Sequence, residues 1–439
     1  MTKVHGVLAA FALLVLPACA LAQPAPMPAE RVDQDVREWQ DWLFSTHPHP
    51  GFSMDVAAVE AAFDQVRTSL DGTYSRREAW LALAVLNPLF ADGHVTIRLP
   101  GEDFDAYLAE GGADFTLPVR IADGQLRVAE TVAIDSPFRP GERITTINGV
   151  AADAIVTASL ARTNGDTPGL RAHLVETRFS RYLWAVTGGA DRWRVGVLAE
   201  DGSAGTQALD PQRDRADHEP QRWALAFQDD AAILTLNTFI PTLEAEFTAF
   251  IDNAFAEIAA HGSRILVIDL SENGGGAHPL SDHLLAYLTD RRHTPLSAVT
   301  ARITPENQAL IPGSQVGDVI SVPYTQWVEP PAELANRFSG KVAVLVGAGT
   351  YSQAIVLAAT VQDFDIAPVA GPGTEGRANS TGQVQLHRLA NTDLEVAAPI
   401  YVFTRASGDT SSAPVVPDIQ LSGSRQAQIA ALITRLRED

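Results

Sequence analysis

The chain is almost without cysteine and lysine, has no long apolar run beyond its first two dozen residues, and carries no basic cluster. Cys19 is the only cysteine, which excludes a disulfide and a cysteine nucleophile from the folded body. Past the N-terminal segment no stretch reaches the roughly 18 apolar residues that a membrane-spanning helix needs. The formal charge of -21 at pH 7 sets the chain against nucleic acids and anionic membrane surfaces, whose phosphates would repel it. Metal-ligand spacing is missing as well. His47 and His49 sit beside prolines in a helix connection, where capping and packing are their expected roles, and His278 and His283 make a poor chelating pair on one expected helix. There is no phosphate-loop lysine and no nucleotide fingerprint, so no metal or cofactor is expected.

What is present is hydrophobic residue, 46% of 439, enough for one large core and two or three sub-domains. Residues 1–22 read as a secretory leader: a lysine, the apolar stretch Val7 to Leu16, and the small-residue site Ala20-Leu21-Ala22 before Gln23. Leu16-Pro17-Ala18-Cys19 also resembles a lipoprotein cleavage box, which offers lipid anchoring at Cys19 as the minority alternative. The expected location is periplasmic or secreted.

Four regions follow from the patterning. After the leader, residues 23–100 read as a helical unit, with helices near Val32 to Thr46, Ala57 to Leu70 and Arg76 to Phe90. Residues 101–225 read as strand-rich. Within them, Pro140 to Val150 forms a strand ending in an Asn-Gly turn, followed by a helical Ala152 to Leu160, which resembles the core of an abbreviated PDZ domain. The polar stretch Glu200 to Gln221 is expected to loop out. Residues 226–439 alternate strands and helices, interrupted by a proline-rich segment, Pro305 to Pro331, expected to be a long loop over a cleft.

Two glycine-bearing segments carry the chemistry. Asp269-Leu270-Ser271-Glu272-Asn273-Gly274-Gly275-Gly276 and Gly349-Thr350-Tyr351-Ser352-Gln353-Ala354 each follow a short apolar run, Arg264 to Ile268 and Val342 to Val346, and each opens a helix. Such runs suit parallel strands covered on both faces. A serine at a strand-to-helix turn sits where helix amides and dipole favour developing negative charge. Without further context, Ser352 as a helix cap and Gly274 to Gly276 as a tight turn would be the commoner reading.

In order and spacing, these segments resemble the S41 serine peptidases, which include the C-terminal processing proteases, the tricorn core and retinoid-binding-protein-like modules. The resemblance extends through Asp92-Gly93-His94-Val95, Arg337 to Val342, Gln362-Asp363, Gly371 to Gly376 and Pro417-Asp418-Ile419. It implies an α/β fold, a crotonase- or ClpP-like spiral of strands and helices. It further implies Ser352 as the nucleophile, with an oxyanion hole from the amides of Gln353 and of Gly274 or Gly275.

Serine needs a base. The processing branch of the family uses a lysine where this chain has Arg377, which cannot accept a proton. The remaining lysines are Lys3, in the leader, and Lys341, at the far end of the strand leading to the serine and out of reach at about 3.3 Å per residue. The tricorn-like branch uses a histidine after the N-terminal helices, and His94 matches it, with His278 in reserve. For the group that orients the imidazole, Asp409, Ser411, Asp92 and Glu375 remain open. The family's glutamate after the serine is Ile355 here, and the usual arginine of the glycine loop is Ser271.

The expected function is a serine endopeptidase that takes a peptide or protein substrate through an acyl-enzyme. The alternative is an inactive module of the same fold that binds a peptide or apolar ligand.

Overall fold

The computed structural model describes residues 26–216 and 221–438. The expected leader and the Cys19 anchor lie outside the described residues. Among those described, no helix is long and apolar enough to cross a membrane.

The N-terminal helices run Ala29–Thr46, Val56–Ser69 and Arg76–Leu83, and a short helix, Asn87–Phe90, ends on Ala91 in the left-handed region (φ 46°). Ser75 and Glu78 close a capping box at the third of these, satisfying two otherwise orphaned amides. Trp39, Phe63 and Phe90 interlock edge-on or tilted at 5.3–6.4 Å at the centre of the unit.

A second region is built on the antiparallel strands Val119–Ala122, Gln125–Val128, Arg143–Ile147, Arg194–Leu198 and Ala204–Ala208, paired in that order. The last strand lies inside Glu200 to Gln221, which therefore does not simply loop out. The Arg194–Leu198 strand recruits it as an edge partner. Three helices join this sheet: Ala152–Leu160, as expected from sequence, and Pro168–Thr177 and Phe179–Thr187, which were not. Pro168 occupies the first helical position and the Thr167 hydroxyl caps the Leu170 amide, so this start follows ordinary helix rules.

The C-terminal region holds a six-stranded sheet in the order Trp223–Gln228, Ala231–Leu236, Ile265–Asp269, Lys341–Leu345, Val369–Gly371, Ile419–Gln420. Its first pair is antiparallel and the rest parallel. The helices Glu244–His261, His278–Ala286 and Gln353–Asp363 share one apolar cluster with the sheet, and the closing helix Arg425–Glu438 covers the opposite face. A further sheet runs Val319–Pro323, Leu296–Arg302, Glu395–Arg405, Thr381–Arg388, and the short strand Thr96–Ile97 from the N-terminal unit also pairs with Glu395–Arg405. The Pro305 to Pro331 segment is thus not a plain loop. Its alternating Val319-Ile320-Ser321-Val322 stretch pairs antiparallel with Leu296–Arg302, as β-branched residues in alternation favour.

Candidate active site

Parallel pairing of Ile265–Asp269 with Lys341–Leu345 sets Asp269 opposite Leu345. The two glycine-bearing segments therefore leave the sheet side by side at the carboxyl ends of neighbouring strands, where open α/β sheets form their crevices. They are then tied together. The Thr350 hydroxyl donates to the Leu270 carbonyl at 2.8 Å, and the Tyr351 amide to the Asn273 carbonyl at 2.9 Å. Asn273 is buried and donates its side-chain amide to the Leu236 carbonyl at 2.8 Å.

Ser352 has φ 52° and ψ -122°, a conformation that is costly for a non-glycine residue and concentrates at functional sites. It heads the helix Gln353–Asp363, whose residues Ala354 to Val361 are all buried. Its hydroxyl makes no cap hydrogen bond, so the reading of Ser352 as a structural cap fails. The Ala354, Ile355 and Val356 amides find carbonyl partners within the turn, whereas those of Ser352 and Gln353 donate to no described group.

The expected oxyanion donors divide. The Gly275 amide is already taken, donating to the Asn273 side-chain oxygen at 2.8 Å, so it is not available to substrate. The Gly274 amide has no partner among the described residues, and Gly274 lines the cleft. Gly275 instead serves by being small: with φ 97°, a Cβ there would stand 2.7 Å from the Ser352 Cβ and 2.8 Å from the Gln353 nitrogen.

His94 comes from the N-terminal unit. Left-handed Ala91 turns the chain out of the helix Asn87–Phe90, and Gly93 passes so close to Tyr351 that a Cβ would lie 2.4 Å from the phenol oxygen. The Gly93 amide donates to Asp166 Oδ1 at 2.9 Å and to the Tyr351 oxygen at 3.0 Å, while the Tyr351 hydroxyl donates to Asp166 at 2.9 Å. The His94 and Tyr351 rings stand 5.0 Å apart, which fixes the imidazole beside the residue preceding the serine.

A hydrogen-bond chain behind His94 sets its tautomer. The buried Asp92 carboxylate accepts from the Thr381 hydroxyl at 3.0 and 3.1 Å and from the His94 amide at 2.7 Å. Thr381 Oγ1 lies 2.9 Å from His94 Nδ1. A hydroxyl has one hydrogen; given to Asp92, it leaves only a lone pair for Nδ1, which must then carry its own proton. Nε2 of the neutral ring is left as the acceptor. Burial works against the charge on Asp92, but His47, His94 and the His94 amide outweigh it and hold the carboxyl below its usual range. Asp166 shifts the other way, upward, through burial and the nearby Asp92 charge. The Tyr351 phenol is raised well above its ordinary value, by burial first and then by these two acids.

Of the four candidate orienters, only Asp92 reaches the imidazole, at 3.8 Å directly and through Thr381. Asp409 and Ser411 are exposed and bond to each other, and their carbonyls hold the Asn379 side chain. Glu375 accepts from the Thr167 hydroxyl at 2.5 Å. His278 pairs with Asp282 at 3.0 Å on its own helix. Arg377, at the family's lysine position, braces the loop: its amide donates to Asp166 Oδ2 and its guanidinium to the Ala91 carbonyl. Sequence reasoning missed Thr381, Asp166 and the role of Tyr351. His47, expected to cap or pack, is buried and accepts from the His49 amide at Nδ1, so its Nε2–H faces Asp92 at 4.0 Å.

Ser352, His94 and Gly274 line one cleft of about 690 Å³. Its walls come from the N-terminal unit, the helices Pro168–Thr177 and Phe179–Thr187, the glycine loop and the edge strand Thr381–Arg388. A strained serine with unused amides beside it, in a cleft shared with an imidazole, is the equipment of a serine peptidase. Residues 230–421 match the model of peptidase family S41, which supports a serine peptidase of that kind. Mature CPAF complexed with lactacystin superposes with a TM-score of 0.63 at 14% identity, covering 93% of this chain and 97% of that one. Mature CPAF without that compound gives 0.62 at 15% identity over 93% and 96%. At such identity these likenesses speak for the shared fold. No curated protein matches the chain.

Proposed function

We propose that this serine peptidase is a secreted or periplasmic endopeptidase with Ser352 as nucleophile and His94 as its general base. One observation carries the reading: the Asp92–Thr381–His94 hydrogen-bond chain leaves Nε2 as the accepting nitrogen of a ring that shares its cleft with Ser352. Ser352 Oγ attacks the scissile carbonyl carbon as its proton passes to His94 Nε2. The oxygen that gains negative charge is received by the Gly274 and Gln353 amides, donors of the kind whose loss costs about 10²–10³ in rate. The imidazolium, steadied at Nδ1 by Thr381 and the Asp92 charge, returns the proton to the leaving amine. Water, deprotonated by His94, then releases the acid product and restores Ser352.

The test is covalent labelling of the purified protein with a fluorophosphonate, read by intact mass. Wild type gains one adduct, and Ser352→Ala and His94→Ala gain none. A folded wild type that stays unlabelled from pH 5 to 9 sinks the catalytic reading and leaves the non-catalytic binding module.

A further inference from the structure

The sign of charge in the cleft differs from that of the molecule. Against a net charge of -21, the cleft is lined by Arg98, Arg178 and Arg181 and by a single carboxylate, Glu272. Arg98 is already paired with Glu395. Arg178 and Arg181 have no carboxylate partner among the described residues; Arg181 stands over the Phe104 ring at 5.8 Å. Both are exposed and lie three apart at the start of one helix, so their side chains are neighbours on its surface. Across the same cleft stand Val384 and Leu386, exposed apolar residues of the strand Thr381–Arg388, which ends its sheet.

We infer that the cleft selects peptides carrying an acidic side chain flanked by apolar ones, with the carboxylate held between Arg178 and Arg181 and the apolar neighbours set against Val384 and Leu386. The inference rests on the peptidase reading above and names its substrate class. Two free guanidiniums in a recessed, partly apolar site attract a carboxylate more strongly than they would on open surface, because the walls limit solvent screening. The field of Arg178 is felt inside the cleft. After burial, it is the second cause that pushes His173, another lining residue, down to about 4. Edge strands accept extended peptides by main-chain pairing, which turns alternate side chains towards and away from a wall.

The probes are N-acetylated, C-amidated decapeptide mixtures with one fixed position, Glu, Gln or Lys, and neutral residues elsewhere, so that the fixed side chain supplies the only charge. Wild type is expected to cleave the Glu mixture about tenfold faster in kcat/KM than the Gln mixture and to cleave the Lys mixture slowest, with the gap narrowing as salt rises. In Arg178→Gln/Arg181→Gln the Glu and Gln rates should fall within about twofold of each other. Among the described residues neither side chain holds a hydrogen bond or ion pair, so an unchanged Tm serves as the folding control. Enrichment of the same mixtures on immobilised Ser352→Ala, read by mass spectrometry, is expected to follow the same order. That arm decides the charge preference even where no cleavage occurs, and so separates its failure from failure of the catalytic reading. Equal handling of Glu and Gln, or a Glu preference that survives in the double variant, overturns the inference.

Discussion

Thr381 decides which nitrogen of His94 carries the proton, although it touches neither substrate nor serine. Replacing it by valine keeps the shape but leaves Nδ1 without its acceptor and the Asp92 carboxylate with the His94 amide but no hydroxyl donor. Thr381→Val is expected to lower kcat by about 10²-fold with KM little changed, and to move the acid limb of the pH–rate profile, whereas Thr381→Ser restores most of the rate. A valine variant within twofold of wild type would show that the relay is idle. At this scale the sequence was partly legible. Ser352 and His94 stand in short motifs, each anchored by a glycine that close approach demands. Thr381 was not legible: 287 residues separate it from His94, and a threonine opening a strand has nothing to distinguish it until the fold brings it to Asp92. Gly275 was misjudged for a related reason, since only the folded loop reveals that Asn273 occupies its amide.

The helix Pro168–Thr177 carries two groups that titrate out of place. Burial pushes Glu176 up to about 7, while the Ile121 amide and Arg120 oppose it only in part. His173 is pushed down to about 4. An acid with a raised folded pKa keeps its proton after the unfolded chain has lost it, so Glu176 withdraws stability as pH climbs from about 4.5 through 7. His173 does the reverse, withdrawing stability as pH falls from about 6.5 towards 4, because the unfolded chain binds the proton first. Glu176→Gln should therefore gain roughly 1–2 kcal/mol on wild type at pH 8 compared with pH 5, measured by urea unfolding at both. An equal difference at the two pH values would mean that the carboxyl is not buried. This helix and its successor, Phe179–Thr187, were absent from the sequence reading because they sit inside a region dominated by strands and Asn-Gly or Gly-Gly turns. The parallel strands were legible because burial on both faces writes them as unbroken apolar runs.

At the scale of the molecule, the proposed base and the proposed nucleophile ride on different hydrophobic cores. Val95, next to His94, packs in a cluster that joins the N-terminal helices to the strand-rich region and to Leu389, Leu394 and Val396. Ala354 and Ile355, just after Ser352, pack in a second cluster around the parallel sheet. Among the bonds that link the two, those of Gly93 and Asp166 with Tyr351 and of Arg377 with Ala91 converge on the site itself. As urea rises, fluorophosphonate labelling of Ser352 is expected to fall before far-UV circular dichroism does, since the cores can separate before either melts. Superimposed transitions would instead make the molecule one cooperative unit.

The split has a consequence for how the chain is made. A ribosome delivers the imidazole early and the hydroxyl that orients it 287 residues later, with the serine in between. No truncated or nascent chain that stops before Thr381 holds the arrangement proposed for catalysis, and at that point the sheet that carries Ser352 still lacks the strand Ile419–Gln420. On the proposed mechanism the order of assembly is itself a safeguard, since no shorter stretch of chain could cut its neighbours.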